Sequence, residues 1–131
     1  FSERQLTQLL GATERMKAAY QLRPLTYGTL FGLLASTGLR ISEALKLTRG
    51  QVDLKGGVLR IERTKFKKSR LVPLHPTTTQ ALCRYATARD RQWGQYGDKP
   101  FFVGRCGLAL PYRTVGGAFR TLCDELGWHQ G

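Results

Sequence analysis

The apolar run from Leu30 to Ala35 stops at Gly38, and a shorter amphipathic piece resumes with Ile41, Leu45 and Leu47 on one side. A glycine at that break suits the left-handed backbone position just past a helix end. Two buried helical pieces must therefore meet at a tight corner. Arg40 sits directly after that corner, where the chain is held from both sides, and Glu43 follows three residues later, within reach on one helical face. A guanidinium held in this way is well placed to take a phosphate bidentately. The same residues also fit an ordinary surface ion pair at a helix corner, and taken alone the segment favours that plainer reading.

A second stretch changes the weighing. Arg60 to Leu74 reads Arg-Ile-Glu-Arg-Thr-Lys-Phe-Lys-Lys-Ser-Arg-Leu-Val-Pro-Leu, and between Arg60 and Arg70 six basic residues stand against one acidic one. Like charges so close repel unless an anion lies among them. A solvated basic turn that protects a sheet edge from aggregation is the competing account. Together, Thr37-Gly38-Leu39-Arg40-x-x-Glu43 and Lys65-x-x-Lys68-x-Arg70-x-Val72-Pro73-Leu74 resemble the tyrosine recombinase (phage integrase) family. Its first signature is a Thr-Gly-Leu-Arg-x-x-Glu box, and its second is a β-hairpin carrying Lys-x-x-Lys-x-Arg-x-Val-Pro-Leu. Both occur here in the family's order. The stretch Tyr112-Arg113-Thr114-Val115, with Phe119, also looks like the segment that precedes the family's histidine–arginine box.

The charge balance points the same way. Lys and Arg outnumber Asp and Glu by 21 to 9 in 131 residues, a net +12. That excess favours a polyanionic partner, most simply double-stranded DNA. A membrane-surface role would need a Lys-rich amphipathic helix or a lipidation site, and neither stands out. No signal peptide or apolar membrane-spanning run is present. Cys83, Cys106 and Cys123 are too few and too spread for a disulfide framework or zinc site, which fits a reducing cytoplasm. The length suits one domain, residues 1–131. The chain begins at Phe1 rather than Met, as expected of a piece of a longer protein.

In chain order, Ser2 and Gln5 form a capping-box pattern before a helix with Leu6, Leu9, Leu10, Met16 and Tyr20 at helical spacing, weakened at Gly11. Pro24 opens a well-buried helix to about Ser36, and a short helix from Ile41 to Leu47 follows. Val52 and Leu54 mark a first strand, Lys55-Gly56-Gly57 a turn, Val58 to Arg63 a second strand, and Arg70 to Leu74 a third, with Thr64 to Ser69 as the tip. Pro73 lacks a donor N–H, which places the third strand at the sheet edge. His75-Pro76-Thr77 starts a helix to about Trp93, with Leu82, Tyr85 and Ala86 inward. Phe101-Phe102-Val103 is a brief extended piece, Gly104 to Pro111 a loop, and a last helix carries Val115, Ala118, Phe119, Leu122 and Leu126 before Gly127. The expected class is α+β and mostly helical: a helical bundle with one small three-stranded antiparallel sheet, as the resemblance also implies.

The resemblance implies a reaction that needs neither metal nor cofactor. A tyrosine attacks phosphorus and forms a 3′-phosphotyrosine link, cations stabilise the non-bridging oxygens, and an acid protonates the leaving 5′ oxygen. Carried over by motif position, Arg40 is the first phosphate-clamping arginine, Lys65 is the acid, and Glu43 supports Arg40 or the local fold without reacting itself. Arg63, Lys67, Lys68 and Arg70 are the hairpin's DNA-binding cations. Phe66 stands where the family often has glycine. No His-x-x-Arg box is present, and all five tyrosines precede the place where the family's nucleophile should occur. His75 reads as a turn residue, and His129 has no arginine after it. The chain is thus expected to be the first part of a catalytic domain, unable alone to complete cleavage, monomeric without DNA and assembling with further protomers on DNA as a full-length protein. Its expected place is the cytoplasm, against the nucleoid when bound. A non-catalytic DNA-binding or regulatory module built on the same fold is the alternative.

Overall fold

The computed structural model describes residues 2–14, 22–63 and 68–127. Among them run α1 (Glu3–Glu14), α2 (Arg23–Thr37), α3 (Ile41–Leu45), a 3₁₀ turn (Arg49–Gln51), β1 (Val52–Asp53), β2 (Val58–Arg63), β3 (Lys68–Pro73), α4 (Pro76–Trp93) and α5 (Tyr112–Glu125). The three strands form one antiparallel sheet in the order β1-β2-β3. The mostly helical α+β class is as expected.

Local sequence explains most of the boundaries. Ser2 and Gln5 cap α1 reciprocally: each main-chain N–H donates to the other's side chain at 3.1 Å. Tyr27, Leu30, Phe31 and Leu33 of α2 are buried. That helix ends where Gly38, at φ 72, turns the chain and donates its N–H to the Leu34 carbonyl at 3.0 Å. The following helix α3 ends at Leu45, not at Leu47. Leu47 remains buried, but its carbonyl has left the helix to accept the Phe101 N–H at 2.9 Å.

The sheet corrects two expected ends. Leu54 belongs to the β1–β2 turn rather than to a strand, because the Asp53 carboxylate accepts the Gly56 N–H at 2.9 Å and starts the turn early. β3 begins at Lys68, since the ladder carries on through Glu62–Ser69 and Arg63–Lys68. The expected tip of Thr64 to Ser69 thus loses its last two residues to the strand, and residues 64–67 lie outside the described residues. Pro73 is on the edge strand, as its missing donor requires.

Tyr85 is the hub of the core. It is fully buried, its ring stacks on Phe102 at 5.5 Å and meets Phe101 edge-on at 5.4 Å. Its hydroxyl lies 3.0 Å from that of Thr26 and accepts the Val103 N–H at 3.0 Å. Burial pushes the phenol above the usual tyrosine range. Tyr85→Phe keeps the rings but removes the buried hydroxyl that meets both the Thr26 hydroxyl and the Val103 N–H. The expected loss is about 1–3 kcal/mol of stability in a urea titration; an unchanged midpoint would remove the hydroxyl from this account.

Candidate functional site

Each residue of the Thr37-to-Glu43 box has a local task. The Thr37 hydroxyl donates to the Leu33 carbonyl at 2.7 Å and accepts the Leu39 N–H at 3.2 Å, which pins the corner. Gly38 supplies the left-handed turn. Leu39 is buried on one side of Arg40, and Ala44 and Leu45 on the other. Arg40 itself caps α3 in extended backbone, and its side chain is exposed. The sequence thus fixes the arginine's backbone and leaves its guanidinium facing solvent.

Glu43 is held differently from expectation. One of its oxygens accepts the main-chain N–H of Arg40 at 3.0 Å, and the other lies 3.4 Å from Nη2 of Arg70 on β3. Its ion pair is therefore with the hairpin, not with the Arg40 side chain. Among the described residues, the Arg40 guanidinium has no carboxylate partner.

The ladder register explains how Arg70 reaches α3. It stands opposite Ile61, and directly opposed residues of an antiparallel pair share a face. Ile61 is buried against the helices, so Arg70 lies on the core side of an edge strand. Lys68, two residues along, lies on that same face and is exposed. Arg63 is the ladder partner of Lys68. The side chain of Arg63, and all of Lys65 and Lys67, lie outside the described residues. The opposite face carries an exposed pair, Arg60 to Glu62 at 3.6 Å, and an exposed Leu71.

A second cluster escaped the sequence reading. Arg89 is fully buried near the end of α4, where it donates to the Gly94 carbonyl at 3.0 Å, the Pro100 carbonyl at 3.1 Å, and the Asp90 carboxylate. Asp90 also receives Arg49 bidentately at 3.1–3.2 Å. This corner joins the 3₁₀ turn to the loop after α4, where Gly50 and Gly97 meet so closely that a side chain on Gly50 would come within 3.1 Å of the Gly97 carbonyl. A signal existed: Arg89 falls on the stripe of Leu82, Tyr85 and Ala86.

The remaining candidates are structural. His75 caps α4, its ring Nδ1 accepting the Thr77 N–H at 3.3 Å. Cys83 and Cys106 are exposed; Cys123 is buried, and burial, with Asp124 beside it, pushes its thiol up. Among the described residues, no three or more His, Cys, Asp or Glu side chains are grouped to hold a metal, and no helix is long and apolar enough to cross a membrane. A groove of about 600 Å³ between α1, α2 and α4 and one of about 630 Å³ on the outer sheet face include neither Arg40 nor Arg70. The Arg40 turn and the hairpin base thus offer cations on an open surface, which suits an extended anion better than an enclosed small molecule.

The chain belongs to the phage integrase family, whose sequence model matches residues 1–130. It is 49% identical over 109 residues to y4rE of Sinorhizobium fredii, a protein carrying an integrase/recombinase name; the match covers 83% of this chain and 35% of that relative. Its fold is similar to that of XerA recombinase, with a TM-score of 0.78 at 22% identity, over 99% of this chain and 43% of that one. It is also similar to the XerH site-specific recombinase in a post-cleavage complex with its palindromic difH substrate, with a TM-score of 0.76 at 19% identity, over 100% of this chain and 36% of that one. The chain thus spans well under half the length of these proteins.

Proposed function

We propose that residues 1–131 form one domain, the first part of the catalytic domain of a site-specific tyrosine recombinase, whose partner is double-stranded DNA. Arg40 binds the non-bridging oxygens of the scissile phosphate and stabilises their charge as phosphorus is attacked. A tyrosine oxygen bonds to phosphorus, the bond to the 5′ oxygen breaks, and Lys65 passes its proton to that oxygen. Glu43 holds the Arg40 turn, while Arg63, Lys67, Lys68 and Arg70 meet neighbouring phosphates. None of this chain's tyrosines is assigned as the nucleophile: Tyr27 and Tyr85 are buried, and the chain alone does not complete cleavage. The full-length protein acts with further protomers on DNA, in the cytoplasm against the nucleoid; the chain by itself is monomeric without DNA.

One observation supports this reading above the rest. The hairpin base and the Arg40 turn, 27 residues apart at Arg70 and Glu43, are joined by an ion pair, so two separate basic segments adjoin. The complex of the similarly folded Tn1549 transposon integrase with a circular intermediate DNA is consistent with a DNA partner for this fold. Titration of the chain with duplex DNA at several salt concentrations tests the proposal. About five phosphate contacts should give a log–log salt slope of about −4 to −5, a loss of several hundred-fold between 50 and 200 mM salt. Affinity independent of salt would contradict it.

A further inference from the structure

We propose that Arg70 is a positioning residue: by holding Glu43, it anchors the basic hairpin and keeps Glu43 away from the Arg40 guanidinium. The inference rests on the phosphate role given to Arg40 above, and it adds a task that phosphate binding alone does not give Arg70.

Glu43 lies three residues after Arg40, a spacing at which opposite charges on a helix attract. Left to itself, its carboxylate would be the nearest anion to compete with a phosphate for Arg40. Instead both of its oxygens are engaged, one by the Arg40 main-chain N–H at 3.0 Å and one by Arg70 at 3.4 Å. The pair is partly sheltered, with Glu43 22% and Arg70 43% exposed at the side chain. Only Nη2 of Arg70 is turned to Glu43, so the rest of its fork of donors remains for other acceptors.

The same contact bears on the hairpin. From Lys68 to Leu71 every β3 residue is exposed, and the first half-buried one is Val72. Among the described residues, Arg70 is therefore the side chain that fastens the outer half of β3 to the helices. Glu62, the acidic residue on the neighbouring strand, is paired with Arg60 on the opposite face and cannot substitute. Loss of Arg70 should have two effects at once: a looser hairpin and a Glu43 free to neutralise Arg40.

A double-mutant cycle on this chain separates that from simple loss of a cation. Glu43→Gln keeps an oxygen for the Arg40 N–H but removes the charge. In the otherwise native chain it should loosen the hairpin and weaken binding of a short DNA duplex about three-fold, the scale of a partly exposed pair. In the Arg70→Gln background the same substitution should strengthen binding about three-fold, because it releases Arg40. Arg70→Lys should recover part of the native behaviour. A Glu43→Gln effect of the same sign and size in both backgrounds would overturn the proposal. Amide exchange without DNA is the second arm: Glu43→Gln should speed exchange at Lys68 to Arg70 about three-fold, and Arg70→Gln should do the same with no further gain in the double variant. Unchanged exchange would also overturn it. If no variant binds DNA in a salt-dependent way, the recombinase reading fails, while the exchange arm still decides whether Arg70 anchors the hairpin.

Discussion

Arg40→Ala in a full-length recombinase carrying this segment is expected to slow strand cleavage by about 10²–10³-fold or more, with folding intact. Removing one preorganised donor to a developing oxyanion costs on that order, and here the donor is a full charge. The side chain is exposed, so its truncation opens no cavity, while Thr37, Gly38 and the Glu43 cap continue to hold the corner. Single-turnover cleavage of a duplex substrate, read beside a thermal melt, checks both parts. A near-native rate, or a loss traced to unfolding, would remove Arg40 from the chemistry.

The largest expected effect on stability lies elsewhere. Arg89→Ala should cost about 3–5 kcal/mol, because it empties a packed site and strips the donors from the Gly94 and Pro100 carbonyls. In a chain of this size that is a fall of about 10 °C or more in Tm. Asp90 would keep Arg49, so the defect should localise to the loop after α4 and leave the Arg40 corner in place. Arg60→Ala is the control: its pair with Glu62 is more than half exposed on both sides and should contribute well under about 1 kcal/mol. Equal losses from the two substitutions would show that the buried corner carries no special weight.

What could be read from the sequence was mostly what is local. Gly38, the Thr37 hydroxyl and the Glu43 cap act within a few residues, so the Arg40 corner is legible in the sequence. Leu59 and Ile61 alternate, and β2 has the expected ends. The start of β3 is not legible because Lys68 and Ser69 show no apolar alternation; their strand is set by Arg63 and Glu62 across the ladder. Leu47 continues the apolar stripe of α3, but its carbonyl accepts the N–H of the distant Phe101, outside the helix. The Glu43–Arg70 pair and the Arg49–Asp90 pair span 27 and 41 residues, and no local spacing announces them. Arg89 stands on the stripe of Leu82, Tyr85 and Ala86, but its acceptors, the Gly94 and Pro100 carbonyls, lie beyond the helix, and no local spacing marks them. The role of Lys65 came from the family pattern alone.

The most direct test of the account is a leaving-group experiment on the full-length recombinase. Cleavage is compared on an ordinary duplex and on one with a bridging 5′-phosphorothiolate at the scissile position, whose leaving group needs no proton. If Arg40 stabilises charge on phosphorus and Lys65 is the acid, Arg40→Ala should be slow on both substrates, whereas Lys65→Ala should be slow on the first and largely restored on the second. Equal loss from Lys65→Ala on both, or rescue of Arg40→Ala by the sulfur leaving group, would contradict the assignment of these two residues to one phosphate.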